Sequence, residues 1–281
     1  MQPTDRQPFI LSYTYMGYMS CLWKYLQYVM NGYEKHDQDS LAANRGDLCH
    51  QIFAGYGGKL HRAGRPKCEP WFHDEIAKTF SLNSTPDWLQ SEVLDALGDF
   101  PQIWMINPKN PNYFESKMAI NRWDWNQVKL NPAAKRYDFH KTAIPQDVIC
   151  GTADHIEIIG DRAIITDFKS HFKSYSYDDA LDNPQLELYA WLLFMHREFL
   201  NEITVREWGF RYGARNESGH TWDRETLDAR VRPKVIESFA KLDEAWATFG
   251  NENWPVQPGM SQCQYCKLVC SRKLELLGRN A

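Results

Sequence analysis

The stretch "GTADHIEIIGDRAIITDFKS", residues 151–170, decides the reading of this chain. Apolar residues alternate on either side of Gly160-Asp161, which predicts two antiparallel strands joined by a two-residue turn. A loop that short pairs Ile159 with Arg162 and, counting back residue by residue, sets Asp154 opposite Asp167. Directly opposed side chains have Cβ atoms about 4.5–5.5 Å apart, and like charges there destabilise a sheet. A hard divalent cation, Mg²⁺ or Mn²⁺, would compensate, because it prefers oxygen ligands. Alternation also places Lys169 on the face of Asp167, with Ile156, Ile158, Ala163 and Ile165 filling the rest of that face. A single Asp would read as a wet sheet edge; an opposed pair with a same-face Lys reads as a site.

At 281 residues the chain is long enough for one large domain or two small ones. Charged residues at 24% and hydrophobic ones at 43% are ordinary for a soluble globular protein. The 11 Trp, 14 Tyr and 14 Phe supply stacking surfaces for bases, although an aromatic core is the commoner use. A formal net charge of −4 advertises no polyanion partner, so any nucleic-acid contact must come from a local basic patch. The opening "MQPTDRQPFI" lacks the pattern of a secretory signal, and "YAWLLFM" is too short to span a bilayer. These features predict a cytoplasmic protein without a membrane partner, in which the seven Cys are not disulfides: clustered ones suggest metal ligands or redox chemistry, while Cys49, Cys68 and Cys150 read as free buried thiols.

Along the chain, 12–32 reads as an aromatic-rich helix stopped by Asn31-Gly32, with Cys21 inside it. A second helix over 40–54 carries His50 and is expected to end at Gly55 and Gly57. Residues 59–111, broken by six prolines, read as irregular, with one short helix at "PDWLQSEVLDALGDF". The period then changes to two: "YFESKMAINR", "DVICGTADHIEII" and "RAIITDFKS" predict three strands. "DNPQLELYAWLLFMHREFL" predicts a helix capped by Asn183 with Pro184 at its first position. "TVREWGFRYG" predicts a fourth strand, and 223–250 a long helical segment interrupted by Pro233. The order is that of an α/β domain: a mixed central sheet with helical flanks.

Four short motifs in sequence order carry a resemblance: "GDLCH" ending at His50, G-x-x-D at Gly151 to Asp154, D-x-K at Asp167 to Lys169, and Q-x-x-x-Y at Gln185 to Tyr189. Together they resemble the RecB-like branch of the PD-(D/E)XK nuclease superfamily. The resemblance covers about residues 40–212 and implies a restriction-endonuclease-like core; the whole of 1–281 is read as a single nuclease domain with a helical insertion at 60–112. It further implies a metal held by His50, Asp154, Asp167 and the backbone carbonyl of Phe168. Lys169 would position or activate the attacking water and balance charge, making Asp154, Asp167 and Lys169 the catalytic set. Gln185 and Tyr189, four apart on one helix face, would touch substrate. Glu115 matches an acidic strand residue common in these nucleases, and a solvated strand Glu is the alternative reading. No Walker motif or Gly-rich phosphate loop is present, which argues against an ATPase.

Near the C-terminus Cys263, Cys266 and Cys270 form C-x2-C-x3-C, and Cys21 supplies a fourth candidate thiolate. The set is similar to the iron-sulfur staple of AddB-type and CRISPR-adaptation nucleases, which implies a [4Fe-4S] cluster, with a four-thiolate Zn²⁺ site as the rival. The expected function is that of a Mg²⁺- or Mn²⁺-dependent deoxyribonuclease cutting single-stranded DNA or DNA ends. Recombination, repair or phage DNA processing, with a helicase or recombination partner, are the settings implied. The alternatives are a CRISPR-adaptation nuclease and a nuclease-like DNA-binding or scaffold subunit that does not cut.

Overall fold

Gly160 adopts a φ of +63°, and the hairpin forms in the expected register, from Ile159 opposite Arg162 to His155 opposite Thr166. A computed structural model of the chain describes residues 8–31, 41–128, 146–170, 183–210, 219–250 and 254–256. Its strands are β1 (Ile10–Leu11), β2 (Asn112–Asn121), β3 (Val148–Ile159), β4 (Arg162–Lys169), β5 (Glu202–Gly209) and β6 (His220–Asp223). Its α-helices are α1 (Tyr13–Met16), α2 (Leu22–Tyr25), α3 (Leu41–Arg62), α4 (Glu69–Leu82), α5 (Asp87–Leu97), α6 (Phe100–Ile103), α7 (Pro184–His196) and α8 (Arg224–Phe249). The sheet is mixed: β3 runs antiparallel to β4, β4 parallel to β5, β5 antiparallel to β6, and β1 parallel to the start of β3, while β2 also pairs with β3. The parallel pair β4–β5 is joined through α7, the crossover such pairing requires. The α/β class with helices around a mixed sheet is therefore as expected.

The chain divides into two compact units, Met1–His36, Ala119–Cys150 and Arg230–Ala281 forming the first, Asp37–Met118 and Gly151–Ala229 the second. In the first unit the Tyr25 hydroxyl accepts from Ile10 N at 3.0 Å and donates to Ile10 O at 2.9 Å. Trp254 stacks on Tyr25, with ring centroids 6.3 Å apart and planes 4° from parallel. Arg122 is held between Asp147 and Asp243, and Asp147 Oδ1 also accepts the Phe9 amide at 2.8 Å. The single helix expected over 12–32 is broken here. Cys21 is extended (φ −147°), separating a 3₁₀ turn from α2, and Trp23 N donates to Pro255 O at 3.2 Å instead of continuing a helical ladder. Tertiary partners for the aromatic side chains and for this amide outweigh the helical period.

In the second unit α3 runs straight through Gly55 and Gly57 and ends at Arg62, just before Gly64, whose φ is +63°. Those two glycines serve close packing: a β-carbon at Gly55 would run into the Glu75 side chain, and one at Gly57 into the Phe114 ring. Within 59–111 the one expected helix forms as α5, but the rest is not irregular, since α4 and α6 also lie there. Pro70 and Pro101 sit in the first turns of α4 and α6, and Pro86 occupies the cap position of α5, places where a missing N–H costs nothing. These helices and α3 bury a core of Phe53, Tyr56, Phe72, Val93, Phe100 and Trp104 that also takes in Phe168 and Phe210.

α7 begins as expected, with Asn183 Oδ1 accepting from Gln185 N at 3.0 Å and Leu186 N at 3.3 Å. Every residue from Leu186 to Phe194 is buried, as befits a helix apolar on all sides. Its C-terminal carbonyls are met by Arg224, which donates to Phe194 O at 2.6 Å and Arg197 O at 2.9 Å. α8 is continuous across Pro233, contrary to the expected interruption. Burying Val235, Phe239 and Leu242, at about 1.5–3 kcal/mol each, outweighs the roughly 3 kcal/mol that an interior proline costs.

Candidate metal centre

Asp154, wholly buried on β3, and Asp167, 2% exposed on β4, stand where the hairpin register runs out. Beyond the His155–Thr166 pair the Phe168 amide donates to Asp154 Oδ2 at 2.7 Å, so a carboxylate takes the place a ladder carbonyl would fill. The other oxygen, Oδ1, is left facing α3. There His50 Nδ1 lies 3.5 Å from it and 3.4 Å from Glu115 Oε1. One ligand atom each from His50, Glu115 and Asp154 fall within 4.8 Å of one another. An imidazole with two carboxylates is a donor set suited to a hard or borderline divalent cation.

Local sequence explains how α3 and β2 meet. His50, Phe53 and Gly57 share a helix face at spacings of three and seven. Gly57, lacking a side chain, lets Phe114 of β2 lie against that face, and the Phe114 ring stacks on His155 at 4.9 Å, 10° from parallel. The next residue, Glu115, has φ +48°, a left-handed conformation that costs a non-glycine residue on the order of 1–3 kcal/mol. That strain breaks the regular alternation of β2 at the residue whose carboxylate reaches His50. No signal in the sequence foretells the backbone twist; Glu115 is legible only through the family resemblance.

Asp167 lies outside the three-residue group, its Oδ2 paired with Lys169 Nζ at 2.5 Å. Burial, and then the neighbouring Asp154 charge, push the Asp167 carboxyl above its ordinary range, against the pull of Lys169 and His50. For Lys169 burial works against the charge. Asp167, followed by Glu207 and Asp154, more than offsets it, so the ammonium is held above its usual value and stays charged. A cation 25% exposed at the edge of buried carboxylates can face an anionic substrate.

α7 brings Gln185 and Tyr189 to the same unit, with Gln185 Nε2 donating to the Tyr189 hydroxyl at 2.7 Å. The structure thus gathers His50, Asp154, Asp167, Lys169 and Glu115, and pairs Gln185 with Tyr189. Of the cysteines, Cys21 is half-buried in the other unit, while Cys263, Cys266 and Cys270 lie outside the described residues. Cys49, beside His50, is fully buried, which pushes its thiol up to about 12 and makes it a poor ligand.

The sequence profile of the PD-(D/E)XK nuclease superfamily matches residues 13–270. The chain belongs to that superfamily. A search of curated proteins returns no match. Superfamily membership implies a metal-dependent nuclease, and the cluster of His50, Glu115 and Asp154 provides a fitting place for a divalent metal. No helix among the described residues is long and apolar enough to cross a membrane.

Proposed function

We propose that this superfamily member is a Mg²⁺- or Mn²⁺-dependent deoxyribonuclease of the RecB-like branch, acting on single-stranded DNA or DNA ends. The observation that carries the reading is the convergence of His50, Glu115 and Asp154 beside the buried Asp167–Lys169 pair. A divalent cation bound there supplies Lewis-acid polarisation of a phosphoryl oxygen and lowers the pKa of a water. His50, Glu115 and Asp154 hold it, with Asp167 and the Phe168 carbonyl as further candidates. Lys169 places a positive charge beside the reacting phosphate and orients the attacking water, while Gln185 and Tyr189 engage the substrate strand.

The whole chain is read as one nuclease domain of the cytoplasm, in keeping with a profile match that spans both compact units. Cys21, Cys263, Cys266 and Cys270 are proposed to hold one structural metal centre, [4Fe-4S] ahead of Zn²⁺. Recombination, repair or phage DNA processing, with a helicase partner, suit such an enzyme, and CRISPR adaptation is a narrower variant. End-labelled single- and double-stranded DNA incubated with Mg²⁺, Mn²⁺ or EDTA tests the activity. Cleavage that EDTA abolishes supports it; DNA binding without cleavage under either metal would favour the non-cutting scaffold.

A further inference from the structure

We infer that Glu207 is a positioning residue for this site: tied to the Asn183 side chain, it holds the start of α7, with Gln185 and Tyr189, in place beside the strand carrying Asp167 and Lys169. The inference rests on the nuclease reading above for what the placement accomplishes. The tie itself is independent of it.

On β5 the buried face runs Ile203, Val205, Glu207, Gly209, so a glutamate occupies a position where alternation calls for an apolar side chain. It is 8% exposed, and burying a carboxylate costs several kcal/mol unless partners compensate. One partner is explicit: Asn183 Nδ2 donates to Glu207 Oε1 at 2.5 Å. The parallel register sets Glu207 directly beside Asp167, and side chains so paired share a face. Two residues on, Lys169 is paired with Gly209, a residue with no side chain to set against the lysine.

Asn183 therefore works at both ends. Its Oδ1 caps α7 by accepting from Gln185 N and Leu186 N, a task Asp or Ser performs equally well. Its Nδ2, which a cap does not need, reaches Glu207. The first residue so capped is Gln185, whose side chain bonds Tyr189. A displacement of the cap moves both Gln185 and Tyr189 relative to Asp167 and Lys169.

Three variants test this: Asn183→Asp, Glu207→Gln, and the two combined. Asp caps as well as Asn, but sets a second carboxylate against Glu207. We expect Asn183→Asp to lower kcat/KM on end-labelled single-stranded DNA about 10- to 100-fold, the scale of loss when substrate-positioning groups are misplaced, with calorimetric Mn²⁺ affinity unchanged. Glu207→Gln keeps an acceptor for Asn183 and should lose less. In the double variant the amide introduced at position 207 can donate to the carboxylate introduced at position 183, reversing the hydrogen bond, and kcat/KM should return to within about threefold of the parent. Hydrogen exchange of the metal-free protein reads the tie without cleavage: the first turn of α7 should exchange faster in Asn183→Asp and recover in the double variant. Unchanged activity and exchange in Asn183→Asp, or no recovery in the double variant, overturns the inference. Absence of cleavage in the parent protein overturns the nuclease reading instead, and leaves the exchange result to decide the tie.

Discussion

The Tyr189 ring fills the space beside Gly151: a β-carbon on that glycine would sit 2.8 Å from Tyr189 Cε1 and 3.2 Å from Leu192 Cδ1. Gly151 opens the G-x-x-D motif and Tyr189 closes Q-x-x-x-Y, so two motifs far apart in sequence are one packing unit. Gly151→Ala should cost about 1–3 kcal/mol by overpacking. The cost should shrink in a Tyr189→Ala background, where the ring is gone. Urea denaturation of the four proteins in the cycle measures it, and equal costs in both backgrounds would contradict the contact.

The paired role of Asp154 separates charge from hydrogen bonding. Asp154→Asn keeps an acceptor for the Phe168 amide while removing the charge beside Asp167, so metal-free thermal stability should hold or rise as cleavage disappears. Asp154→Ala also loses cleavage, but strands that buried amide and should cost about 1–3 kcal/mol. Asp167→Ala and Lys169→Ala are expected to abolish cleavage as well. Undiminished cutting by Asp167→Ala would sink the assignment of that residue.

His50→Ala and Glu115→Gln should each weaken Mn²⁺ binding in calorimetry at least tenfold, since each removes one donor of a three-atom cluster. Gln185→Ala and Tyr189→Phe should instead lower DNA affinity or turnover and leave the Mn²⁺ isotherm alone. Loss of soluble protein in Tyr189→Phe would mark that hydroxyl as structural.

In the first unit, Asp147 accepts both the Phe9 amide and Arg122. Asp147→Ala leaves a buried N–H and weakens the hold on a guanidinium that also pairs with Asp243, so a loss of about 3 kcal/mol is expected. Guanidinium denaturation with near-UV dichroism checks it. DNA cleavage per folded molecule should be unaffected.

Cys21 lies at the extended break before α2, half-buried and without a disulfide among the described residues. A metal shared with Cys263, Cys266 and Cys270 would close nearly the whole chain into a loop, a constraint of roughly 4–5 kcal/mol by analogy with long-loop cross-links. Cys21→Ala should then lose the metal and destabilise the protein about as much as Cys266→Ala, and Cys68→Ala should do neither. Iron, sulfide and zinc analysis after anaerobic purification separates [4Fe-4S] from Zn²⁺. Full metal content in Cys21→Ala would rule out the four-thiolate set.

Short-range chemistry in the sequence was enough to specify the hairpin, its register from Ile159–Arg162 to His155–Thr166, the capped start of α7 at Asn183-Pro184, and the α/β order of elements. Turn dihedrals, period-two alternation and capping all act within a dozen residues, so their reading survives folding. What tertiary structure decided involves partners distant in sequence. Gly55 and Gly57 read locally as helix stops, yet Glu75 and Phe114 pack where their side chains would be, and α3 continues. Cys21 sits inside an apparent helix, but Pro255 claims the nearby Trp23 amide and the helix breaks. Glu115 reaches His50 where β2 twists to φ +48°, and buried Glu207 meets the Asn183 amide and the Lys169 charge, both brought to it by folding. A helix period or a strand alternation says which face a residue occupies; whether a buried charge there is tolerated depends on the group that folding brings against it.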